Sequence, residues 1–136
     1  EGEARNQLGE ILAEAVQKQG GEVTQAALDK ARAMPLRAPL VVVVVARLQD
    51  HFKVPKSEQL ITAGCAAHAI ELAAYAQGIG AVWRTGELSY NTHVAEGLGL
   101  TNGEEVVAFL YLGTPQNELR AAPKVSSAEF VKAWSV

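Results

Sequence analysis

The chain has 136 residues, enough for one domain with a core of its own. It is 49% hydrophobic and 20% charged, which excludes a disordered segment, and its net charge of −3, without a basic cluster, excludes a nucleic-acid footprint. Cys65 is the sole cysteine, so no internal disulfide can form; a reducing compartment, the cytoplasm, is the expected location. No secretory signal pattern opens the chain. It begins Glu1-Gly2-Glu3 rather than with methionine, which suggests a processed, trimmed or truncated piece of a longer protein.

Leu8, Ile11, Leu12 and Val16 recur at helical spacing, predicting an amphipathic helix over Ala4 to Lys18 that Gly20-Gly21 ends. Thr24 to Met34 repeats the pattern, with Thr24 as N-cap, Ala27, Leu28 and Ala31 inward, and Pro35 as the stop. Leu40 to Ala46 reads as a strand; its unbroken Val41–Val45 run predicts cover on both faces, as in a central strand. Gln49 to Lys56 is a polar loop.

The longest element follows. Ser57 is the expected N-cap of a helix that Gln77-Gly78 closes. Its residues are small and apolar on nearly every side, among them Ala63, Gly64, Cys65, Ala66, Ala67, Ala69, Ala73, Ala74 and Ala76. That pattern predicts a buried helix, and His68 and Glu71 in its middle argue against a membrane span of roughly 20 apolar residues. A short strand over Ile79–Arg84, a short helix over Asn91 to Leu98, a turn at Asn102-Gly103 and an apolar strand over Glu105 to Gly113 complete the core. The order α-α-β-α-β-α-β suggests one sheet covered by helices. Residues 116–136 are mostly polar, with Phe130, Val131 and Trp134 near the end; they are expected to lie along the domain or a neighbour, or to stay mobile.

Gly78-Ile79-Gly80 looks like a dinucleotide fingerprint, but the order is helix, glycines, strand, whereas the fingerprint needs strand, turn, helix. Cys65 and His68 are one helical turn apart; with no further cysteine, and with His51 and His93 in separate segments, no metal site is expected. His68 is read as a buried or half-buried histidine partnered by Glu71, and Cys65 as a buried inert thiol. No G-x-S-x-G elbow exists, and Glu104-Glu105 flank a turn as solvated carboxylates. The most informative cluster is Trp83-Arg84-Thr85-Gly86 at a strand end. An arginine, a hydroxyl and backbone N–H groups suit a phosphate, and the indole offers a flat wall; the alternative is an Arg84 that only snorkels to solvent.

Taken together, KARAMPLRAPLVVVVVA, KVPKSEQ, ITAGCAAHA, AAYAQGIGAVWRTG and EEVVAFLYLGTP resemble the FMN-dependent nitroreductase family, in order, from Glu1 to Pro115. The resemblance implies an α+β, three-layer α/β/α-like fold: a homodimer with a central mixed sheet covered by helices, and the long helix at the two-fold core. Residues 1–115 would form this core and 116–136 a C-terminal extension along the domain or the partner subunit. It implies two FMN molecules in clefts between subunits and a ping-pong transfer of hydride from NAD(P)H through flavin to a nitroaromatic, quinone or similar small acceptor. Cofactor contacts fall to Trp83, Arg84 and Thr85, and the nicotinamide to Ala73–Gly78; no catalytic side chain and no metal are implied. The family begins with a helix carrying an Arg-Arg-Ser-type phosphate motif that this sequence lacks, so FMN is expected to bind this chain weakly or not at all. A non-catalytic dimeric domain of the same fold is the alternative.

Overall fold

The computed structural model describes residues 1–117 and 121–134. Helix α1 (Glu3–Lys18) buries Leu8, Leu12, Ala13 and Ala15, the stripe that the periodicity marks. Helix α2 (Gln25–Ala33) starts at Thr24, whose hydroxyl accepts from the Ala27 N–H at 3.3 Å. Gly9 lets the two helices touch: a Cβ there would stand 2.5 Å from the carbonyl oxygen of Arg32. A single 3-10 turn, Met34–Arg37, with Pro35 buried inside it, carries the chain to strand β1 (Leu40–Arg47). Arg5 of α1 ties this connection down by donating to the Ala38 carbonyl at 2.7 Å.

Helix α3 (Lys56–Ala76) begins at Pro55, which acts as N-cap without a side-chain bond, so Ser57 lies inside the first turn rather than capping it. Proline's fixed φ and the extended backbone it brings suffice to launch the helix. The loop before it is tightly organised. Gln59 accepts from the Gln49 N–H and donates to the carbonyls of Gln49 and Val54, and His51 Nδ1 accepts from the N–H groups of Lys53 and Val54. At its far end Gly78, at φ 72°, donates to Tyr75, and Ile79 donates back to Ala74. This Schellman closure turns the chain directly into strand β2 (Gly80–Arg84). Helix α4 (Thr92–Gly97), capped by Asn91, leads to strand β3 (Glu104–Gly113).

The strands of the described residues form one sheet in the order β1-β3-β2, with both pairings antiparallel. Two expectations change here. The valine run is an edge strand, and β3 is central; the run lacks alternation because helices cover both faces of β1, not because strands flank it. Val41 and Val43 pack on the α1 side, Val42 and Val44 on the α3 side. The sheet is also antiparallel where the resemblance implied a mixed one, since β1 and β2 run alike but are separated by β3.

The larger core lies between α1, α2, α4 and one sheet face, around Leu12, Ala15, Val94 and Phe109. The smaller core lies between α3 and the other face, around Ala67, Ala108 and Leu110. The layers are helix, sheet, helix, an α+β arrangement, but α3 is not enclosed. Ala67 and Ala74 are its buried residues, whereas Ile61, Leu72 and Tyr75 are 65%, 56% and 77% exposed. Cys65 is exposed rather than buried, and so is His68, whose Nδ1 stands 3.8 Å from Glu71. A helix apolar all round buries one side on its own sheet and leaves the other bare. Residues 121–134 are exposed along their length.

Gly9→Ala is expected to destabilise the fold by about 1–3 kcal/mol, because the clash is with backbone and α1 and α2 must separate. A urea unfolding curve unchanged from wild type would show that the two helices can part at no cost.

Candidate functional site

Strand alternation divides the cluster that the sequence groups together. Trp83 pairs with Leu110 in register and packs on the α3 side with Ala67 and Ile70. Its ring lies against α3 where Gly64 leaves room, 3.7 Å from a Cβ built there. Arg84 pairs with Phe109 and Val82 with Tyr111, both on the opposite face. The indole and the guanidinium therefore do not share a pocket. Thr85 follows the strand as an exposed residue, and Gly86 adopts φ 139° with open space around its Cα.

Arg84 opens into the main cleft of the described residues, about 780 Å³, which wraps round the free edge of β2. One wall is the end of α3, with Leu72 and Tyr75; the floor is Val82 and Tyr111; Arg37 and Pro115 close the other side. Of the stretch Ala73–Gly78, Tyr75 and Gly78 line this cleft, while Ala74 is buried beneath it. Thr85 and Trp83 lie outside the lining. The Tyr111 phenol has its pKa raised, chiefly by burial, against an opposing pull from the positive charges of Arg37 and Arg84. Neither guanidinium makes an ion pair among the described residues.

Arg37 and Tyr111 were not visible as site residues in the sequence. Arg37 sits in a short turn and Tyr111 within an apolar strand; only the pairing register brings both beside Arg84. A second polar cluster was equally hidden: Glu14 and Lys18 of α1 meet His93 of α4 at 2.8 and 2.9 Å, across sequence separations of 79 and 75. It fastens α4 to α1 away from the cleft.

A three-layer α+β domain with an apolar cleft at a sheet edge, two cations on its wall and a bare small-residue helix defines the class. The profile of the nitroreductase family matches residues 1–114. A protein of Escherichia coli K12 described as "Putative NAD(P)H nitroreductase YdjA" is 42% identical over 126 residues, covering 93% of this chain and 67% of its own length. A Haemophilus influenzae protein described as "Putative NAD(P)H nitroreductase" is 34% identical, covering 96% of this chain and 71% of its own length. Among solved structures, a nitroreductase-like family protein from Bacillus cereus superposes with a TM-score of 0.77 at 23% identity, covering 97% of this chain and 68% of its own. The chain belongs to the nitroreductase family, and that membership supports a general oxidoreductase function for the parent protein. Among the described residues no helix is long and apolar enough to cross a membrane.

The raised Tyr111 pKa has a consequence at high pH. The folded state holds the phenol proton more tightly than the unfolded chain does, so this stabilisation is present below the ordinary pKa of 10.0 and is lost as pH rises through the folded value. Between pH 10.0 and the higher folded value, stability is expected to fall less steeply in Tyr111→Phe than in wild type; identical pH profiles of unfolding would place the phenol in water.

Proposed function

We propose that this chain forms the greater part of an FMN-dependent NAD(P)H oxidoreductase that reduces a nitroaromatic, quinone or similar small acceptor, working as a cytoplasmic homodimer. The observation that carries the reading is the end of β2: a guanidinium without an ion-pair partner among the described residues, an exposed hydroxyl and an open glycine, in a chain of this family. These residues fit part of a flavin site. Gly86 leaves room for a ring against backbone, Arg84 supplies a cation, and Thr85 supplies a hydroxyl.

Each residue then has its own task. Trp83 is a positioning residue: wedged between β2 and α3, it holds the strand end at fixed height. Arg84 would place positive charge where a bound, reduced ring or a phosphate is negative, and Thr85 would give or take one hydrogen bond. The apolar wall of Leu72, Tyr75 and Val82 would exclude water from a nicotinamide or acceptor. FMN, when bound, supplies the hydride exchange between NAD(P)H and acceptor. The extension 116–136 would run along the domain or the partner, since nothing in residues 121–134 packs its own core.

The bare face of α3 supports the homodimer. Ala66, Ala69 and Ala73 are exposed beside Ile61 and Leu72, so a second backbone could approach closely over an apolar surface. Ala66→Phe or Ala69→Phe is expected to weaken self-association by about 1–3 kcal/mol while leaving monomer folding intact, because both positions are open in the single chain. Ala67→Phe, at a site with no exposed surface, is expected to damage the fold itself. Sedimentation across a concentration series checks this, and a wild-type chain that stays monomeric throughout would refute the dimer.

Flavin binding is tested by titrating FMN against the complete protein and reading quenching of flavin emission. Arg84→Ala is expected to weaken binding by about 1.5–3 kcal/mol, the worth of a charge-assisted hydrogen bond, and Trp83→Phe by less. Equal dissociation constants for wild type and Arg84→Ala would remove Arg84 from the cofactor site.

A further inference from the structure

We propose that Arg37, Arg84 and Tyr111 form an anion-binding subsite in the cleft at the β2 edge, which takes the carboxylate or phosphate of an aromatic ligand whose ring lies on Leu72, Tyr75 and Val82. The inference deepens the oxidoreductase reading by naming the charge that its small ligand carries, and it shares only Arg84 with the flavin contacts.

The placement follows from the sheet. Val41, Tyr111 and Val82 stand in one row across β1, β3 and β2, on the face away from α3. Arg84 is the next β2 residue on that face, and Arg37 ends the 3-10 turn just before β1. Both cations line the same cleft as the phenol, one from each end of the row. Each is near enough to act electrostatically on the phenol oxygen.

Two positive charges beside a half-buried ring repel one another, and a chain of net charge −3 has no general excess of cations to explain them. Arg32 binds Glu10 and Asp29, and Arg5 binds the Ala38 carbonyl, whereas Arg47, on the far end of β1 and outside the cleft lining, makes no ion pair among the described residues. Arg37 and Arg84 have no such carboxylate among the described residues. Glu71, the one carboxylate lining the cleft among the described residues, stands on the α3 wall and faces His68 at 3.8 Å. The Tyr111 phenol is protonated at neutral pH, since its ordinary pKa is 10.0 and burial raises it further, so it is a donor. Two guanidinia and a phenol hydroxyl lining one cleft suit an oxyanion, for which arginine offers paired N–H groups. The apolar wall beside them selects a ligand with a flat apolar body.

Isothermal titration of the purified chain with 4-nitrobenzoate and with nitrobenzene tests the subsite. The carboxylate is expected to bind about tenfold or more tightly than the neutral ring, with an advantage that shrinks as salt rises. Arg37→Gln should abolish that advantage, Arg37→Lys should keep part of it, and Tyr111→Phe should reduce it several-fold, with circular dichroism confirming an unchanged fold. Arg37 and Tyr111 are not among the flavin contacts assigned to Trp83, Arg84 and Thr85, so their effect on the 4-nitrobenzoate preference is read separately from those contacts. FMN against riboflavin separates the two sources. A phosphate advantage lost in Arg37→Gln identifies a nucleotide phosphate as the occupant; an advantage absent, with the 4-nitrobenzoate preference intact, identifies an acceptor carboxylate. Equal or undetectable binding of 4-nitrobenzoate and nitrobenzene, together with an FMN preference that Arg37→Gln leaves unchanged, overturns the proposal even if FMN itself binds.

Discussion

Ala108 and Leu110 on β3 have no exposed surface, and β3 is bonded to a strand on each side. Everything else is arranged to make that possible. The strand carries Val106, Phe109 and Tyr111 toward α1 and α4, and Ala108 and Leu110 toward α3, so two separate cores share one backbone. Two unlike helical layers result: on one side long residues interdigitate, on the other alanine and glycine admit a helix close to the sheet. The period of two that divides these cores also divides Trp83 from Arg84. The cleft is thus a consequence of β2 being short and open along its outer edge, with its two faces committed to different layers.

Much of this was legible in the residues. Caps and stops at Thr24 and Gly78 carry their own signals, and the apolar runs at Val41–Val45 and Glu105 to Gly113 name their strands to within a residue or so. Strand order was not legible. A run of five valines says that both faces are covered, and it says the same for an edge strand under two helices as for a central one. How far one chain buries α3 was not legible for a related reason: composition reports what a surface is suited to touch, and here one side touches the sheet while the other meets nothing within the chain. Cys65 and His68 lie on that open side, which is why both are exposed.

The cluster at Trp83, Arg84 and Thr85 shows the same limit. Adjacent letters invite a single pocket, yet in a strand adjacent side chains are the ones that cannot share a face. Tyr111, twenty-seven positions from Arg84 by sequence number, is nearer in function because register sets it opposite Val82. Arg37 joins them through the buried Pro35 turn and the bond from Arg5 to Ala38, which together fix where β1 begins.

The energetics of the two open features differ. The face of α3 is apolar, so its exposure costs roughly 25 cal/mol for each Å² left in water, and any surface of like shape relieves that cost. The cations at the β2 edge are solvated when the cleft is empty, and their mutual repulsion is screened by water and salt. A ligand that drives water from the cleft strengthens that repulsion and its own attraction to both guanidinia together, so an anion gains most where a neutral ligand of the same shape gains least. Shape alone would make the cleft permissive toward flat molecules. The charge on its wall is what gives it a preference among them.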